Sequence, residues 1–127
     1  MLEALVQRER KDASESRARD DTRERQARRL RCGGCGTEIA DADARIEIGG
    51  AHRHVFCNPH GHVFEIGCFS AAFGVQAIGP ASSFFSWFPG YAWRVAVCNG
   101  CRAHLGWCYG DAPDFVGLIL PRLVDDE

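Results

Sequence analysis

Two Cys-x-x-Cys pairs, Cys32-Gly33-Gly34-Cys35 and Cys98-Asn99-Gly100-Cys101, bracket 62 residues of this 127-residue chain and limit its fold more than any other feature. The two-residue spacing lets one tight turn aim both thiolates at the same ion. Glycines inside or just after each turn relieve the positive-φ strain that this geometry imposes. Four thiolates describe a closed tetrahedral site, so Cys32, Cys35, Cys98 and Cys101 are read as ligands of one structural zinc ion. Their separation exceeds that of a compact zinc ribbon, so the ion should pin together the two ends of a larger body. Redox pairs or unpaired core thiols are the plainer alternative.

The body is small enough for such a clamp to matter. Residues 1–31 carry 10 Lys/Arg against 7 Asp/Glu, and residues 32–127 carry 5 against 10, giving the net −2. Residues 1–30 are almost free of apolar side chains after Val6 and are expected to form a charged tail, disordered or a fraying solvated helix. Residues 31–127 then make one zinc-containing domain, which buries only roughly 60–65% of its unfolded surface. Metal ligation worth on the order of 10 kcal/mol is comparable with its whole stability. The acidic body argues against nucleic acid as a partner. No run of 18 apolar residues exists, so no membrane span is expected. The first residues lack the apolar core of a secretion signal, and seven cysteines without one favour a reducing, cytoplasmic setting.

The body reads as antiparallel all-β, with short strands and Gly/Pro punctuation. Arg45–Ile48 alternates and stops at Gly49-Gly50. Arg53–Cys57 is a second strand, ended by the turn sequence Asn58-Pro59-His60-Gly61. Phe64, Ile66 and Cys68 should share one face of a third. Phe69–Ile78 reads as a short irregular link closed by Gly79-Pro80. Trp93, Val95 and Val97 alternate again, as do Leu105, Trp107 and Tyr109. Phe115–Leu120 is a last apolar run, too short for a helix of its own.

Every tryptophan falls between Trp87 and Trp107, on either side of the second cysteine pair. Trp is seldom fully buried and needs a partner for its N–H, so this concentration suggests an aromatic pocket beside the metal. Trp87 and Trp93 flank Pro89-Gly90. A strict two-residue hairpin would put them on opposite faces, so a shared pocket needs a wider loop. Spacing alone leaves both a pocket and three core tryptophans open. Cys57, Cys68 and Cys108 are read as buried apolar thiols. The five histidines are expected to be solvated or to cap turns.

The run Ser86-Trp87-Phe88-Pro89-Gly90-Tyr91-Ala92-Trp93, followed by Cys98-x-x-Cys101 and His104-Leu105-Gly106-Trp107, closely resembles the thalidomide-binding (CULT) domain of the cereblon family. Cys57–Gly61 and Phe115–Leu118 match in the same order, and the resemblance covers about residues 31–122. It implies a stand-alone member like those of bacteria, with a β-tent fold: two antiparallel sheets meeting at an angle and pinned by the zinc. It also implies a cage of Trp87, Trp93 and Trp107, with Tyr109 beside it and Asn58 and Pro59 as a lip. Such cages take cyclic imides such as glutarimide, or uracil-like rings, without catalysis. The imide hydrogen bonds would come from the backbone at Phe85 and from Trp87 N–H. At Phe84-Phe85 eukaryotic relatives carry polar side chains, including a histidine. The implied partner is a small cyclic imide, a uracil-like ring, or a protein terminus carrying a cyclic imide.

Other readings compete. A methylammonium cage gains from a carboxylate, yet no Asp or Glu lies between Phe84 and Tyr109. A methionine sulfoxide reductase B-like enzyme would use Cys108 as nucleophile, with Cys57 or Cys68 resolving. A zinc-stabilised protein-interaction module is the third reading.

Overall fold

A computed structural model describes residues 28–125 as nine strands with two short 3-10 turns. The strands are β1 (Arg29–Cys32), β2 (Glu38–Asp41), β3 (Arg53–Cys57), β4 (Val63–Phe69), β5 (Val75–Ser82), β6 (Trp93–Cys98), β7 (His104–Tyr109), β8 (Phe115–Ile119) and β9 (Leu123–Asp125). They form two antiparallel sheets, one ordered β2-β1-β9 and the other β3-β4-β8-β7-β6-β5.

The larger sheet is buried on both faces at its centre, as β8 shows. Its run Phe115-Val116-Gly117-Leu118-Ile119 is buried at every position, as expected of a central strand covered on both sides. Val116 and Leu118 face the small sheet, where they pack with Leu30, Ile39, Phe69 and Leu105. Phe115 faces the opposite way, into an aromatic cluster with Cys68, Phe88 and Tyr109. Fully burying side chains such as Ile39 and Leu118 contributes about 1.5–3 kcal/mol each. The β4–β5 turn meets the small sheet at Gly74. Its N–H donates to Ile39 O on β2 at 2.9 Å, and its carbonyl accepts from Asn99 N–H of the second cysteine turn at 2.9 Å. A Cβ at this position would collide with Glu38 O.

Several sequence expectations change. The tail expected over 1–30 lies outside the described residues up to position 27, while Arg29 and Leu30 belong to β1. Arg45–Ile48 is not a strand. It makes only single bridges, Arg45 to Phe69 and Ile48 to Ala51. The reason is that β3 pairs with β4 as far as Gly67, so the segment reaches only the end of β4, where Ile46 N–H donates to Cys68 O and Ser70 N–H to Ala44 O. Phe69–Ile78 is not an irregular link either. Phe69 ends β4, and β5 runs through Gly79-Pro80 to Ser82, with a register shift between Ile78 and Ser82. Proline is tolerated there because β5 is an edge strand.

Candidate functional site: a cysteine cluster beside a tryptophan-lined cavity

Both cysteine turns follow one hydrogen-bonding plan. Cys32 N–H donates to Thr37 O and Gly36 N–H to Cys32 O, each at 2.8 Å. In the second turn, Cys98 N–H donates to Ala103 O at 2.8 Å and Arg102 N–H to Cys98 O at 2.9 Å. The N–H of Gly34 reaches Cys32 Sγ at 3.4 Å, and that of Gly100 reaches Cys98 Sγ at 3.3 Å. The left-handed residue is Gly36 (φ 80°) in the first turn but Arg102 (φ 69°) in the second. Glycine therefore relieves the strain in one turn only.

The four sulfurs lie within 4.8 Å of one another, with Cys32–Cys101 at 3.7 Å and Cys35–Cys98 at 3.6 Å. A metal–sulfur distance of about 2.3 Å gives a tetrahedron with edges of about 3.8 Å, so the arrangement can hold a metal ion and fits zinc. The Thr37 hydroxyl, 3.1 Å from Cys35 Sγ, and its backbone N–H lower that thiol to about 6. At Cys101 a backbone hydrogen bond at Ala103 pulls downward, but desolvation and the crowding of the other three thiols outweigh it, leaving about 11. Four thiolates cannot crowd together without a cation, and a divalent ion removes that conflict. Cys32 ends β1 and Cys98 ends β6, so an ion here would join the two sheets.

The second feature is a cavity of about 560 Å³ on the aromatic face of the large sheet. Trp93 lies opposite Tyr109, and Val95 opposite Trp107, across β6 and β7, so the four side chains share a face. All four line the cavity, together with Trp87, Phe85, Asn58 and Pro59.

Trp87 arrives from the connection over residues 83–92, the wider loop that a shared pocket requires. Ser86 Oγ donates to Tyr91 O at 2.7 Å, and Tyr91 N–H donates to Phe88 O at 3.0 Å across Pro89-Gly90. Gly90 takes φ 91°, as the third position of such a turn demands. Phe88 is driven inward, edge-on to Tyr109 at 4.9 Å and to Phe115 at 5.1 Å. That plug fixes Trp87, which stacks on Phe56 at 5.0 Å and meets Trp107 edge-to-face at 4.9 Å.

The indole N–H groups are already committed. Trp87 Nε1 donates to Cys57 O at 3.1 Å, and Trp93 Nε1 donates to Phe84 O at 2.9 Å. The expected hydrogen bond from Trp87 N–H to an imide therefore has a competitor within the protein. Phe85 differs. It holds a left-handed backbone, φ 53°, and neither its N–H nor its carbonyl has a hydrogen-bond partner among the described residues. A non-glycine residue in that region costs on the order of 1 kcal/mol or more. Asn58 acts through the loop it shapes: its Oδ1 accepts from His60 N–H at 3.0 Å and His62 N–H at 2.9 Å.

Sequence reading missed several wall residues. The expected alternation of Leu105, Trp107 and Tyr109 breaks at a register shift between Ala96 and Val97, where β7 carries one extra residue. The bulge turns Leu105 into the core against the small sheet and brings His104 to the cavity. His104 sits edge-on to Trp107 at 4.7 Å, and its Nε2 lies 3.0 Å from Gly106 O. Burial lowers its pKa, and Arg122 nearby lowers it further against the pull of the Gly106 carbonyl. Arg122 also reaches the cavity from the turn after β8, and only a contact map could have placed it there. Phe64 was legible, because it falls on the Ile66–Cys68 face of β4. Among the remaining cysteines, Cys68 and Cys108 are buried as expected, whereas Cys57 is exposed. Burial pushes Cys68 up to about 11 and raises Cys108, and neither lines the cavity.

No family model matches the chain. It is 38% identical to protein cereblon of Danio rerio over 82 residues, which is 57% of this chain and 19% of that protein. It is 42% identical to protein cereblon of Gallus gallus over 82 residues, and 44% identical to that of Xenopus tropicalis over 52 residues. The chain thus spans about a fifth or less of the length of these relatives. In fold it is similar to the Mis18 'Yippee-like' domain, with a TM-score of 0.54 at 13% identity, covering 79% of this chain and 95% of that one.

Proposed function

Since this chain carries a cereblon-like (CULT) domain, we propose that it binds a small neutral ring with an imide edge, of the glutarimide or uracil type, without catalysis. The observation that carries this reading is the convergence of Trp87, Trp93 and Trp107 on a single cavity. A cyclic imide offers acceptor, donor and acceptor along one edge and methylenes along the other. Indole faces suit the apolar part, and the unpartnered N–H and carbonyl of Phe85 suit the polar edge. Tyr109 floors the cavity, while Asn58 and Pro59 form its lip. A buried imide hydrogen bond left unmade costs about 1–3 kcal/mol, so methylation at nitrogen should weaken binding sharply.

One zinc ion on Cys32, Cys35, Cys98 and Cys101 holds this frame in the proposal. A cytoplasmic setting keeps its ligands and the three further thiols reduced. No described helix is long and apolar enough to cross a membrane. The reductase-like alternative is weakened by Cys108, which packs in the core with a raised pKa instead of presenting a thiolate to the cavity. The interaction-module reading draws on Phe84 and Phe85, which are 70% and 54% exposed at the cavity. A protein terminus bearing a cyclic imide would satisfy both ideas.

Titration of tryptophan fluorescence with glutarimide, N-methylglutarimide and trimethyllysine tests the ring reading. Quenching by glutarimide alone supports it. Quenching by trimethyllysine alone would mean a cation cage instead.

A further inference from the structure

We propose that the cavity contains a second subsite, for an anion, built on Arg122 at its rim. The ligand is then an imide or uracil ring that itself carries a phosphate or a carboxylate. The ring half of this statement rests on the function proposed above; the anion half rests on different residues.

The cavity is larger than its ring-binding role needs. Pockets of roughly 300–1,000 Å³ enclose drug-sized ligands, and a lone six-membered imide would fill only a minor part of 560 Å³. The remaining wall has a definite polarity. No Asp or Glu is among the residues lining the cavity, whereas Arg122, His60, His62 and His104 are. Arg122 pairs with no carboxylate among the described residues, although Arg28, Arg29, Arg31, Arg45 and Arg53 all do.

Arg122 is also held in place. One terminal nitrogen, Nη1, donates to His104 O at 2.8 Å, and the guanidinium carbon lies 5.8 Å from the centre of the Phe64 ring. Its main-chain carbonyl accepts from Gly33 N–H at 2.9 Å. A guanidinium offers five N–H donors in a planar fork that matches phosphate and carboxylate. The contact with His104 uses one side of that fork and leaves the rest for a ligand. Arg94, by contrast, is spent on Gly79 O and Ala77 O and does not line the cavity.

Calorimetric titration of the full chain with uridine, uridine monophosphate, glutarimide and a carboxylate-bearing glutarimide tests the proposal. At low salt an anionic probe should bind about tenfold tighter than its neutral parent, as expected for a hydrogen bond to a charged group. That advantage should shrink at high salt because Arg122 is exposed. Gain by the phosphate alone identifies a phosphate ligand; gain by the carboxylate alone identifies a carboxylate. Arg122→Gln should abolish the advantage of each anionic probe over its neutral parent. Arg122→Lys should restore part of it, and Arg94→Gln should change nothing. Neutral rings that bind as tightly as their anionic derivatives to the wild-type chain overturn the anion subsite and leave the ring reading standing. Binding of uridine monophosphate that depends on Arg122, without binding of either neutral ring, would sink the ring reading and keep the subsite. If no probe binds, both are overturned.

Discussion

Gly33 N–H donates to the carbonyl oxygen of Arg122 at 2.9 Å, so the first cysteine turn holds a residue that lines the cavity. A Cβ at position 33 would lie only 3.0 Å from that oxygen, which is why the turn can come so close. The second turn is tied in through Asn99 and Gly74, and β6 and β7, which supply Trp93 and Trp107, leave directly from it. Cysteine cluster and cavity are thus linked through hydrogen-bonded backbone.

Removal of the metal should therefore cost both fold and cavity. The purified domain is expected to contain one zinc per chain by elemental analysis. Cys98→Ser or strong chelator should abolish cooperative unfolding and ligand-induced fluorescence change together, since site energies of about 10 kcal/mol rival the whole stability. A metal-free domain that keeps its near-ultraviolet dichroism would refute the clamp.

Gly74 offers a test of sheet packing that leaves the metal alone. Gly74→Ala places a methyl against Glu38 O and Ile39, and both are backbone at the collision, so little can yield. A loss of about 1–3 kcal/mol is expected in urea unfolding, as for other overpacked sites. An unchanged midpoint would show that β2 and the β4–β5 turn separate more easily than their hydrogen bond suggests.

Trp107 is flanked edge-on by Trp87, Phe64 and His104. Trp107→Ala should lower the affinity for glutarimide or uridine by about 2 kcal/mol, from lost area and lost ring contacts. Trp87→Phe should cost about 1 kcal/mol of stability, because Cys57 O loses its donor. Cys57→Ser, on an exposed side chain, should change neither. Calorimetry and urea unfolding read these outcomes.

Much of this was legible in the sequence where local chemistry decides. Cysteine spacing pointed to the four-thiol cluster because each turn is a local object, period-2 alternation pointed to β4 and β6, and the Asn58–Gly61 turn marked the end of β3. Trp107 and Tyr109 could be grouped because they share a strand, while Trp93, their cross-strand neighbour, was joined to them only through the family resemblance. What stayed hidden depends on distant chain. β1 and β9 are short and half-polar and become strands only by pairing, β1 with both β2 and β9 and β9 with β1. Arg45–Ile48 has the pattern of a strand but meets β4 only beyond the stretch that β3 already occupies. His104 reaches the cavity only through a bulge, which period-2 reasoning cannot anticipate.

That bulge gives His104 a signature in the pH dependence of stability. Burial, with Arg122 adding to it, lowers its folded pKa from 6.5. The unfolded chain therefore takes up the proton first as pH falls, so it binds more protons than the folded chain and stability drops below about pH 6.5. The loss accumulates until pH passes the depressed folded value and then levels off; above the unfolded pKa the contribution is fully present. Thiolate and carboxylate titration will add their own slopes, so the informative quantity is a difference. The wild-type unfolding free energy should fall more steeply between neutral and mildly acidic pH than that of His104→Gln, which keeps a donor for the Gly106 carbonyl. Parallel curves would mean that His104 is as well solvated in the folded protein as in the unfolded chain.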